Sequence, residues 1–148
     1  MPDYEADVCV AFAQGNIGKA VQLATSDSFN EIKNSALHLL KNVSKMEIND
    51  IIATVKSVSE FKIDIQDYLD FLAVWYRDIL YFKATRDSNG LIFKDELNVI
   101  TDQINKSSYE GIENILRGLQ TAKTRLNANV NFDLTMELLF LLIKENLV

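Results

Sequence analysis

Proline is nearly missing from this chain: Pro2 is the only one in 148 residues, and glycines number five. After the first residues almost nothing can interrupt a helix. Cys9 is the sole cysteine, so no disulfide can form within the chain, which fits a reducing cytosol. His38 is the sole histidine, too few ligands for a zinc site. A di-iron bundle would need Glu-x-x-His on two helices, and Ser35 stands three residues before His38. There is no Walker loop, dinucleotide glycine fingerprint or G-x-S-x-G elbow. Nucleophilic catalysis would have to use His38, which reads as an ordinary helix-surface residue among Leu37, Leu39 and Leu40.

Long apolar runs are missing too. None approaches the roughly 20 residues of a membrane span, and the longest, residues 138–143, reads as a buried helix segment. No positive region followed by an apolar block marks a secretory signal. The 15 Lys and Arg residues are scattered and outnumbered by 21 Asp and Glu, leaving a net charge of −6. No basic stripe exists to neutralise a phosphate backbone.

What is present is helical periodicity. A composition 48% apolar and 24% charged is that of a soluble domain, and the length suits one well-filled core. The fold class read from this is all-α, a helical bundle. Its organising stretch is residues 64–84, where Ile65, Leu69, Leu72, Tyr76 and Ile79 make one apolar face and Tyr68, Phe71, Trp75 and Phe82 a second. A helix with two apolar faces must be covered from both sides.

Around it, two short helices are expected before a polar break at residues 25–28, with Gly15 ending the first and Asn16 capping the second. A third helix turns Ile32, Ala36, Leu39, Leu40 and Val43 inward, and a fourth Ile48, Ile51, Ile52, Val55 and Val58. Ser28/Glu31, Ser44/Glu47 and Ser107/Glu110 have capping-box spacing. Residues 85–90 read as an exposed, mobile loop, and residues 91–93 return the chain to the core before a short helix with Leu97, Ile100 and Ile104. The next helix carries Ile112, Ile115, Leu116, Leu119, Ala122 and Leu126, with Gly111 and Gly118 seven apart, either for close helix approach or as tolerated surface glycines. Asn131 caps the last helix, residues 132–146. No period of 20–50 residues suggests a solenoid.

The polar oddities are few. Arg77 and Asp78 follow Trp75 and Tyr76 in the central helix, either as an ion-paired anchor or as two groups reaching solvent. Glu137 stands in an otherwise apolar helix, with Arg125 as a possible partner. Burying either pair demands mutual hydrogen bonding, because an unpaired buried charge is strongly destabilising. With Asn129 and Asn131 these residues are the candidates for core anchoring or for an interface, where Trp, Tyr and Arg concentrate the binding energy.

The G-N-I-G-K-A turn (15–20), W-Y-R-D (75–78), Y-F-K-A-T-R (81–86) and the closing R-L-N-A-N-V-N-F-D-L-T-M-E-L-L-F (125–140) resemble the C-terminal part of the bacterial DNA polymerase III delta prime subunit, a clamp-loader protein, especially its Gram-positive form. The resemblance implies that residues 1–25 end an AAA+-type lid, that residues 26–148 form a helical collar, and that Met1 falls inside the parent protein. Relatives such as gamma/tau carry an arginine in a G-S-x-R-x-A lid motif; here Gly18 takes its place, favouring delta prime over a gamma/tau fragment and arguing against a nucleotide contact.

The function implied is non-catalytic assembly: a collar packing with the delta and gamma/tau subunits in a pentameric sliding-clamp loader for DNA replication. It needs no cofactor or metal, and DNA and clamp are met only through the assembly. The rival reading is a helix-turn-helix regulator using residues 3–25, whose second helix offers Lys19 and Gln22 but little else for reading bases.

Overall fold

The computed structural model describes residues 27–60 and 65–147. The chain runs through α1 (Asp27–Asn42), α2 (Ile48–Glu60), α3 (Ile65–Thr85), α4 (Leu97–Lys106), α5 (Tyr109–Asn127) and α6 (Phe132–Glu145), with no strand among the described residues. It is an all-α helical bundle. The expected lid-like segment 1–25, its helix-turn-helix reading, Gly18 and Cys9 lie outside the described residues.

α3 is the central helix. Tyr68, Leu69, Phe71, Leu72, Trp75, Tyr76, Ile79 and Phe82 are all buried along it, covering both expected faces. α1, α4 and α5 pack against it, while α6 packs on α5 and on α2. An aromatic chain threads the core: Phe29 and Phe71 have ring centroids 6.4 Å apart, Phe71 and Phe93 5.3 Å, and Trp75 and Phe93 5.2 Å. The tilted geometry is the one aromatic quadrupoles prefer.

Side chains donate to carbonyls at or near the helix ends, three of them from far along the chain. Gln103 Nε2 donates to the carbonyl of Leu40 at 2.7 Å, in the last turn of α1. Lys83 Nζ donates to Ile104 O at 3.0 Å and Ser107 Oγ to Gln103 O at 2.7 Å, serving the last turn of α4. Lys144 Nζ donates to Met46 O just ahead of α2. Carbonyls near a helix C-terminus run short of intrahelical donors, and side chains can supply one.

Several local expectations need correction. Ser28 already lies within α1, so it is not its N-cap. Ahead of α2 the Glu47 N–H donates to Asp50 Oδ2 at 3.0 Å, and Ser44 sits in a short 3-10 turn instead. α5 is capped one residue later than expected, by Ser108, whose hydroxyl accepts from Gly111 N at 2.9 Å, because Ser107 has turned inward to α4. Ile48 (61% exposed) and Ile52 (49%) are outside the core, since α2 turns inward only the narrow stripe Ile51, Val55 and Val58. Leu138 likewise faces solvent, so residues 138–143 are not uniformly buried.

Residues 85–90 are exposed, and they carry local hydrogen bonds. Asp87 accepts from Asn89 N and from the Tyr81 hydroxyl, and its own N–H donates to Thr85 Oγ1. Arg86 ends α3 in the left-handed region (φ 56°).

Gly118 marks a close helix approach. A Cβ there would overlap Leu142 Cδ2, with Leu139 Cδ1 at 3.7 Å. At Gly111 a Cβ would meet Asn146 O and Ser108 Oγ, both at 3.2 Å. Glycine's lost helix propensity, about 1 kcal/mol relative to alanine, is offset at these sites by the packing of α5 on α6.

Candidate subunit interface

The singled-out residues separate into inside and outside. Trp75 and Tyr76 are fully buried. Trp75 Nε1 donates to Gln103 Oε1 at 3.0 Å, and with Gln103 Nε2 on Leu40 O this single buried amide ties α1, α3 and α4 together. The signal for Gln103 was weak, a lone amide on a short helix. Burial pushes the Tyr68 and Tyr76 hydroxyls far up from their ordinary value, so both are held as neutral phenols.

Asp78 is buried and Arg77 is exposed, and no ion pair joins them. Asp78 Oδ2 accepts instead from the backbone N–H groups of Ile92 (2.9 Å) and Phe93 (2.8 Å). Burial raises its pKa above the ordinary carboxylate value, an effect the N–H groups of Phe93 and Ile92 partly oppose. The carboxylate is thus a clamp that seats the chain entering α4 against α3.

The second candidate pair does not form either. Arg125 is exposed and Glu137 half-buried, without an ion pair between them. Arg125 uses its carbonyl, which accepts from Ala128 N and Val130 N and closes the last turn of α5. Asn129 takes the left-handed conformation (φ 59°) that reverses the chain, and Asn131 Oδ1 accepts from Leu134 N at 2.9 Å as the N-cap of α6. These residues set the α5–α6 corner.

That corner presents an apolar surface. Leu134 (52% exposed) and Leu138 (48%) lie one turn apart on the outer side of α6, with Val130 exposed just before it. Between α5 and α6 runs a groove of about 280 Å³, with Gly118, Thr121, Arg125, Leu138 and Leu142 among its lining. Thr135, also along it, has a buried hydroxyl with no hydrogen-bond partner among the described residues. Leu134 was not singled out from sequence and Leu138 was read as core, because α6 is apolar on most sides and periodicity alone cannot choose its outward face. Among the described residues no group of three or more His, Cys, Asp or Glu could hold a metal ion, and His38 is exposed on α1. No described helix is long and apolar enough to cross a membrane.

Comparison with known proteins bears on the whole bundle. The sequence model of the family described as DNA polymerase III, delta subunit, C terminal, matches residues 36–145, from the middle of α1 to the end of α6. The chain belongs to this family. It is also similar to DNA polymerase III subunit delta' of Bacillus subtilis (strain 168), with 26% identity over 133 residues, covering 88% of this chain and 40% of the relative. The chain therefore spans about two fifths of the length of the curated relative it matches. No solved structure matches it. Family and relative agree with the resemblance carried by the W-Y-R-D and N-x-N-x-x-L segments. The family-matched region contains the Asp78 clamp, the Trp75–Gln103 tie and the apolar α5–α6 corner alike.

Proposed function

We propose that this chain is the collar domain of a delta prime-type clamp-loader subunit, a non-catalytic module that packs against the delta and gamma/tau subunits and holds the loader together. Residues 1–25 would end the preceding lid and residues 26–148 form the collar. DNA and the sliding clamp would then be met only through the assembled loader.

The observation that supports this reading most is the outward apolar row Val130, Leu134 and Leu138 on a helix of the family-matched region. Grouped apolar side chains on a surface mark sites covered by another protein. Trp75 and Tyr76, fully buried within the bundle, support the fold that carries the row and do not themselves reach a partner. Arg125, Asn129 and Asn131 shape its edge.

Light scattering on a sizing column tests the proposal, with the domain alone and then mixed with delta and gamma/tau subunits of the same organism. A heteromeric peak that disappears with Leu134→Asp or Leu138→Asp is expected. A peak unchanged by both substitutions would move the contact elsewhere, and no peak at all would count against the collar reading.

A further inference from the structure

The groove between α5 and α6 combines features that restrict what can fill it. Its walls are aliphatic, from Leu138, Leu139 and Leu142, and Gly118 lies along it, where a Cβ would require the free end of Leu142 to shift. At about 280 Å³ it has room for one large apolar side chain. Its polar lining is Thr121 and Arg125 on α5 and Thr135 on α6. Among the described residues Arg125 forms no ion pair, although Asp and Glu outnumber Lys and Arg in the chain by 21 to 15. Arg117, two turns earlier on α5, is within 3.8 Å of Glu113.

We propose that this groove receives an apolar side chain from an amphipathic helix of the partner subunit, and that Arg125 pairs with a carboxylate about one turn away on that helix. The inference rests on the collar reading and adds the chemistry of the partner. An apolar slot beside an unpaired guanidinium complements an aliphatic or aromatic anchor flanked by Asp or Glu. A nucleic acid fits it poorly: the walls are leucine and the chain carries a net charge of −6. Residues on one helix face recur every three or four positions, so anchor and carboxylate would lie at i and i+3 or i+4.

The test measures affinity of the delta and gamma/tau subunits for the wild-type chain, Arg125→Gln, Arg125→Glu and Leu138→Asp, at low and high salt, by isothermal titration calorimetry. We expect Leu138→Asp to abolish binding and Arg125→Glu to weaken it about tenfold or more at low salt, with Arg125→Gln between wild type and Arg125→Glu. High salt should narrow the gap between wild type and Arg125→Glu, since screening removes attraction and repulsion alike. Thermal unfolding of the exposed-site variants confirms that they fold. If Leu138→Asp abolishes binding while both Arg125 variants bind within twofold of wild type at every salt concentration, the acidic partner helix is overturned and the collar surface stands. If wild type binds neither subunit, or Leu138→Asp and Leu134→Asp bind normally, the collar surface itself is wrong, and this inference falls with it.

Discussion

Asp78 and Phe93, fifteen positions apart, are joined by a buried hydrogen bond of 2.8 Å from the Phe93 N–H to the Asp78 carboxylate, which also takes the N–H of Ile92. The side chain does for this turn what a neighbouring strand or helix would otherwise do. Removing it leaves two backbone donors without partners, at roughly 1–3 kcal/mol each. Asp78→Ala should therefore cost about 2–6 kcal/mol in urea unfolding. Asp78→Asn, whose amide oxygen can still accept, should cost clearly less. Equal losses would show that the charge, and not the acceptor, is what matters.

The same carboxylate has a signed pH dependence. Its folded pKa lies above the ordinary value of 3.8 because burial disfavours the charged form. The folded state therefore binds the proton more readily than the unfolded state, and this group's contribution is greatest below 3.8 and lost as pH rises through the folded value. The stability of wild type relative to Asp78→Asn should rise as pH falls from neutral and level off in acid. The comparison isolates Asp78 from the other carboxylates. A wild type that loses ground on acidification would contradict it.

Gln103 links Trp75 Nε1 and Leu40 O, so its loss orphans one donor and one acceptor inside the bundle. Gln103→Leu should destabilise by about 2–4 kcal/mol despite its added apolar surface. Because Trp75 is the only tryptophan, its fluorescence follows the unfolding directly. A neutral Gln103→Leu would mean that water replaces the amide.

Gly118 sets helix propensity against packing. Alanine gains about 1 kcal/mol in a helix interior, while overpacking costs about 1–3 kcal/mol. The overlapping atom is the free end of Leu142, which can turn aside, so Gly118→Ala alone should fall within about 1 kcal/mol of wild type. In a Leu142→Ala background it should be stabilising. A double-mutant cycle by urea unfolding reads the difference, and additive effects would place the two residues out of contact.

Much of the fold was legible because nothing in the chain competes with helix. The central helix appeared within one residue of its ends, and its two apolar faces are both buried save for the half-buried Ile65. Ile48 and Ile52 misled because α2 has apolar residues over a wide arc while only part of that arc meets α6. Ser107 misled because two adjacent serines can both cap, and tertiary contact chose between them. The partners of Asp78 were invisible for a different reason: backbone N–H groups belong to every residue and leave no mark in the sequence. The exposed Leu134 and Leu138 were hidden in a helix whose apolar residues look alike until its neighbours are placed.

The contact between Lys144 and Met46 spans 98 residues, and α2 has α6 as its chief packing partner. On a ribosome, α2 leaves the exit tunnel long before α6 has been translated. Until α6 arrives, Ile51, Val55 and Val58 lack their chief packing surface, so the seating of α2 waits for α6 and leaves apolar side chains of the nascent chain open to chaperones in the meantime.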